Sequence, residues 1–169
     1  MPDYRSDMQY MKIIGHILEN EEFKSLENLQ HHNQTRLDHC IKVSYNSYKL
    51  AKKLKLDYED VARAALLHDF YLEQVNEQEK IKDKILLFTT KHPEQALINS
   101  LKYFDLSDKE QDIIRSHMFP VDIKIPKYLE SWLVSAVDKV VSVKEFKFKF
   151  QSRLSWVNVY ILLLFRFIR

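Results

Sequence analysis

Six side chains of this sequence have the types and spacing to hold metal: His39, the adjacent pair His68 and Asp69, His92, His117 and Asp138. Four imidazoles and two carboxylates make a nitrogen/oxygen donor set suited to iron, manganese, cobalt, nickel or zinc, with one or two divalent ions per chain. Cys40 is the single cysteine, which rules out an internal disulfide and a cysteine-rich zinc site. A carboxylate in such a set can bridge two cations roughly 3.5–4 Å apart that activate a water between them. Asp69 is the candidate for that bridge. Any one of these histidines alone is as readily a satisfied core residue as a ligand. The six together are a different case, because each falls at a helix end or on an apolar helical face.

Helices must do the positioning. One glycine and four prolines leave little material for hairpins, and no segment alternates with period two. Met8, Met11, Ile14 and Leu18 form one helical stripe; Leu37, Cys40, Ile41, Ser44, Tyr48, Ala51 and Leu54 form a second. Asp57, with Asp60 three later, caps a helix carrying Val61, Ala62, Ala65 and Leu66. His92-Pro93 reads as the start of the next helix, since proline suits a first helical position, with Ala96, Leu97, Leu101 and Phe104 on its face. Ser107 with Glu110 reads as a capping box before Ile113, Ile114 and His117. A proline-bounded loop over 118–126 leads to a last helix bearing Tyr128, Trp132, Val134, Ser135, Val137 and Val141. The expected fold is an all-α, single-domain helical bundle: an N-terminal helical segment over 1–30, a metal-binding core over 31–146, and an apolar C-terminal helix over 147–169 packing on it.

The two hairpins explain how distant residues meet. The helix from about 36 runs away from His39 for roughly 16 residues, or about 24 Å, and the helix from about 59 returns to end at His68-Asp69. His92 opens one helix and His117 closes the one that comes back, with Asp138 about three turns into the following helix. Whether both hairpins share one end is left open by spacing alone. His68 and Asp69 can serve together only where a helix frays, because neighbouring helical side chains otherwise diverge by about 100°.

Composition sets the surroundings. The chain has 169 residues, 46% hydrophobic and 30% charged, with a net charge of +2. That describes an ordinary globular domain with no basic stripe for a nucleic-acid duplex. The N-terminal sixteen residues have no continuous apolar core, so no signal peptide is expected. The apolar run from Trp156 to Ile168 contains Asn158 and Arg166 and is too short for a membrane span. It suits a core or dimer-facing helix, so a homodimer is open, and the expected compartment is the cytoplasm.

Read as H…HD…H…H…D, the chain resembles the HD superfamily of metal-dependent phosphohydrolases. The stretches "TRLDHCIKVSYNSYKLAKKLKLD", "ARAALLHDFYL", "KHPEQAL", "DIIRSHMFP" and "VSAVDKVVSVKEF" carry the likeness over about residues 31–146. It is similar to small stand-alone bacterial members. The resemblance implies an all-α fold with His39, His68, Asp69 and Asp138 as the basic metal set, and His92 and His117 as the added histidines of binuclear members. It further implies hydrolysis of a phosphoester or phosphoanhydride in a nucleotide or other small phosphorylated metabolite. The cyclic di-GMP subgroup does not fit, because "FYLEQ" follows the HD pair and no GYP motif is present. Nor are the further motifs of guanosine-tetraphosphate hydrolases found. Some proteins of this fold resemble the same ligand set yet use a mixed-valent di-iron centre to oxygenate a C–H bond, and a nucleotide-binding regulatory module with weak catalysis is a third reading.

Around the centre, Arg36 lies three residues before His39 and hence on the same helical face, as a phosphate clamp or as one half of an ion pair. Lys139 and Lys91 adjoin candidate ligands and face either phosphate or solvent. His31 and His32 precede the first ligand helix and are candidates to line the mouth, His32 as a substrate-binding residue. Asp38 is either an acceptor for a ligand histidine or a first-turn helix acid. Phe70 and Tyr71 are candidates to stack a base or to pack, whereas Tyr45 and Tyr48 read as core or rim. The basic and aromatic run over 144–153 reads as an amphipathic extension with solvated lysines.

Overall fold

The computed structural model describes residues 3–31, 34–72 and 81–146. His32, the C-terminal segment from 147 and the later part of the basic and aromatic run lie outside them. The fold is all-α: α1 (Met8–Leu18), the single turn α2 (Glu21–Lys24), α3 (Arg36–Leu54), α4 (Tyr58–Leu67), α5 (Ile81–Tyr103), α6 (Asp108–Ser116) and α7 (residues 129–146). A two-residue antiparallel pairing, β1 (Gln30–His31) with β2 (Gln34–Thr35), closes the turn leading into α3. Among the described residues, no helix is long and apolar enough to cross a membrane.

Local chemistry fixes each helix end that matters to the site. Thr35 and Asp38 form a reciprocal capping box at the start of α3: the Thr35 hydroxyl accepts from the Asp38 N–H at 3.1 Å, and the Asp38 carboxylate accepts from the Thr35 N–H at 3.3 Å. Asp38 therefore serves the helix terminus. Removing the cap as Thr35→Ala should cost about 1 kcal/mol, read as a lower thermal midpoint with unchanged helix content. Lys55 ends α3 in the left-handed conformation, with φ 58°, and turns the chain back into α4. Asp57 accepts from the Asp60 N–H to start α4, and Ser107 and Glu110 form the expected capping box before α6.

The core lies where α1, α3, α4 and α6 converge, with Ile14, Ile17, Cys40, Val43, Ala62, Leu66 and Ile113 all buried. α4, whose Ala62, Ala64 and Ala65 are all buried, lies near enough to α3 for the Ser44 hydroxyl to donate to the Ala62 carbonyl at 2.6 Å. The Tyr10 hydroxyl donates in turn to Ser44 at 2.7 Å. That bond explains one departure from the expected stripes. α1 buries Tyr10, Ile14 and Ile17, while Met8 is exposed, because the buried phenol brings its own polar partner. Leu54, Leu101 and Trp132, assigned to apolar faces, are also exposed.

A second departure concerns α5. It does not begin at His92-Pro93; it begins at Ile81 and carries Pro93 inside. Pro93 has no N–H to give to the carbonyl of Thr89, one turn earlier, yet helix continues on both sides. Asp112 then ties the later helices together: its carboxylate accepts from Ser131 Oγ at 2.7 Å and from the Lys127 N–H at 2.9 Å, fixing the start of α7 against α6.

Candidate metal centre

The helices from α3 to α7 position the pieces of the centre. His39 sits in the first turn of α3, His92 near the middle of α5, and Asp138 midway along α7. His68 and His117 occupy the same local position: each is the residue just after its helix, α4 or α6. There each ring turns back on its own helix. His68 Nδ1 lies 2.8 Å from the Ala65 carbonyl, and His117 Nδ1 lies 2.8 Å from the Ile114 carbonyl. A carbonyl can only accept, so Nδ1 carries the proton in both rings, and Nε2 presents its lone pair to the interior. The same bond satisfies a carbonyl that the end of the helix leaves without an intrahelical partner.

The two hairpins do share an end. Asp69 Oδ1 lies 3.4 Å from His92 Nε2 and 3.6 Å from His117 Nε2, and Asp69 Oδ2 lies 3.7 Å from His68 Nε2. Asp138 Oδ1 is 3.1 Å from His39 Nε2 and 3.7 Å from His68 Nε2. His92 and His117 face each other through Nε2 at 3.0 Å. All six side chains are buried. Among the described residues, two three-residue groups have donor atoms close enough to hold an ion, His39–His68–Asp69 and Asp69–His92–His117, and they have Asp69 in common.

The donor chemistry fits divalent metal. His68 Nε2 and Asp69 Oδ1 are buried and make no hydrogen bond among the described residues, an arrangement costly to keep without a cation to satisfy it. Burial pushes the Asp69 carboxyl up, but the surrounding histidines, His68 foremost, outweigh it and hold the pKa below the usual range. Burial pushes Asp138 up as well, but the hydrogen bond to His39 and the nearby His68 ring, 3.7 Å away, outweigh it and hold that carboxyl well below the usual range. Burial, aided by His68 and His92, lowers His117 to about 3, and burial lowers His92 as well. Burial alone would also lower His39, but hydrogen bonds to Asp138 and Glu145 raise it to about 10. Burial would lower His68 too, but Asp69 and Asp138 raise it. The ionised carboxylates and the neutral rings of His92 and His117 are already in the states that ligation requires, whereas His39 and His68 each give up a proton when an ion binds.

The remaining candidates fall in different places. Arg36 is buried: Nη1 donates to the Tyr71 carbonyl at 2.6 Å, and the guanidinium stacks over the Tyr71 ring at 3.9 Å. The Tyr71 ring lies 5.1 Å from that of His92, so this pair borders the centre. Phe70 is fully buried against Phe23. Lys139 is partly buried and donates to the His117 carbonyl at 2.8 Å and to Ser135 Oγ at 3.0 Å, while Lys91 is exposed. One residue of the centre escaped the sequence reading. Glu145 reaches His39 Nδ1 at 3.0 Å. The available signal was its spacing, seven residues or about two turns beyond Asp138 on the same helix.

Fold and centre together define an all-α protein with a buried nitrogen/oxygen cluster able to hold divalent metal. The HD domain family model matches residues 36–142, and the chain belongs to that family. No curated protein and no solved structure matches the chain.

Proposed function

We propose that this HD-domain protein is a metal-dependent phosphohydrolase that cleaves a phosphoester or phosphoanhydride of a nucleotide or another small phosphorylated metabolite. The observation that carries the reading is the sharing of Asp69 by two three-residue donor groups, the arrangement in which one carboxylate can serve two cations. Divalent metal held by these residues would supply a water of lowered pKa and polarise the phosphoryl oxygens.

The chain's own residues supply the rest. His68 and His117 present Nε2 in a tautomer fixed by backbone carbonyls. His39, His92 and Asp138 complete the set, and Asp69 holds the two halves in register. Arg36, one turn before His39, borders the centre with its guanidinium held on Tyr71, and is the cation this reading assigns to the substrate's phosphoryl oxygens.

The same four histidines and two aspartates also suit a di-iron oxygenase, and oxygen separates the two readings. Elemental analysis of protein purified without chelator should find about two metal ions per chain. The loaded protein should release phosphate from a panel of nucleotides equally well with and without oxygen. Turnover that consumes oxygen and releases no phosphate would favour the oxygenase. Absence of bound metal after reconstitution would remove the enzyme reading.

A further inference from the structure

The family match ends at residue 142, but α7 does not. Its next turn carries Glu145, whose side chain is only 9% exposed although the flanking Lys144 and Phe146 face solvent. Burying a carboxylate requires partners, and α3 provides two. His39 Nδ1 lies 3.0 Å from Glu145 Oε2, and Lys42 Nζ lies 3.4 Å from Glu145 Oε1. Lys42 is three residues after His39, so both face α7 from the same side of α3. The His39 ring thus lies between two acids two turns apart on one helix, with Nε2 toward Asp138 in the centre and Nδ1 toward Glu145 behind it.

We infer that Glu145 is a positioning residue for the metal centre: its carboxylate accepts the His39 Nδ1–H, and so fixes the ring orientation and tautomer in which Nε2 faces the metal. This inference rests on the metal-dependent reading above. The physical ground is general. A histidine bound to metal through one ring nitrogen needs an acceptor for the other N–H, and an anionic acceptor also makes the ring a stronger donor. His68 and His117 find that acceptor in their own helix ends. His39 lies in the first turn of its helix, where the carbonyl three residues back, that of Arg36, is inside the helix and taken up by an intrahelical N–H, and the acceptor comes from α7. Glu145 touches neither substrate nor metal; it acts through His39.

The test uses the full chain, stripped with chelator and titrated with Zn²⁺ against a competing chelator. Glu145→Ala should bind the His39-dependent ion about 10- to 100-fold more weakly, while helix content is retained. Glu145→Gln keeps a neutral oxygen for the Nδ1–H and should fall between Glu145→Ala and the unaltered protein. Lys42→Ala removes the ion pair but leaves the Nδ1 bond, and should bind Zn²⁺ nearly as well as the unaltered protein. Imidazole ¹⁵N spectra of the Zn²⁺-loaded protein should show a protected His39 Nδ1–H that Glu145→Ala loses. Unchanged affinity in Glu145→Ala overturns the inference, as does a Lys42→Ala loss of equal size, which would make Glu145 a helix tie and nothing more. If the unaltered protein takes up no Zn²⁺, the metal-dependent reading fails, and this inference goes with it.

Discussion

Asp69→Ala is expected to take the protein from about two bound metal ions per chain to nearly none, and phosphate release to the level of buffer alone. Asp69 is the single residue common to both donor groups, so its loss removes an anionic ligand from each half at once. The fold should survive. Asp69 follows α4 instead of lying inside it, and the apolar face of α4 is already sealed by Val61, Ala65 and Leu66. Circular dichroism should therefore report near-normal helix content beside an elemental analysis with no metal. Asp69→Asn, which keeps the shape and drops the charge, separates charge from packing and should also fail to load. Full metal content and full activity in either variant would end the assignment of Asp69 as the shared ligand.

The largest loss of stability is expected from Phe70→Ala. The ring is fully buried, edge-on to Phe23 at 5.3 Å between centroids and tilted against Tyr103 at 6.0 Å. Truncating it opens a cavity between the N-terminal segment and α5, at a cost of about 3–5 kcal/mol. For a chain of this size the thermal midpoint should fall by roughly 6–20 °C. The damage should reach the centre as well. The Phe70 N–H donates to the Leu67 carbonyl at 3.0 Å, and its own carbonyl accepts from Asn99 Nδ2 at 3.0 Å, so this residue pins the turn that presents His68 and Asp69. Phe70→Leu keeps most of the volume and should lose less. A midpoint for Phe70→Ala within a degree or two of the parent would show that the ring carries little of the packing.

Much of this arrangement was legible in the residues themselves. The capping signals of Asp57 and of Ser107 with Glu110 fixed where α4 and α6 begin. Their lengths then put His68 and His117 at the far ends. Periodicity could not decide whether the two hairpins share an end, because that depends on packing between helices; the 3.4 Å approach of His92 to Asp69 is such a contact. Pro93 misled for a local reason. Proline is favoured at a first helical position, and the preceding stretch "IKDKILLFTTK" has no clear polar and apolar faces to announce a helix. Glu145 was hidden by its neighbours: among alternating lysines and phenylalanines an acid reads as a surface charge, and only α3 packed alongside makes it a partner. Tyr10 displaced Met8 from the core because a phenol with a buried hydroxyl partner outcompetes a flexible thioether that can remain in water.

The turn-back of His68 and His117 onto their own helices makes helix length part of the recognition of metal. Each ring is aimed by counting: the third residue back offers the carbonyl, and the carbonyl selects the nitrogen that looks inward. One residue inserted into α4 or α6 would swing the terminal ring by about 100° without changing any ligand's identity. Such a chain would keep all six donors in its sequence and lose the centre. By the same token, the two rings are aimed as soon as their helices are complete, so the ordering entropy of these ligands is spent during folding, before an ion arrives. Capture should then be quick, limited by the ion's entry and the shedding of its water.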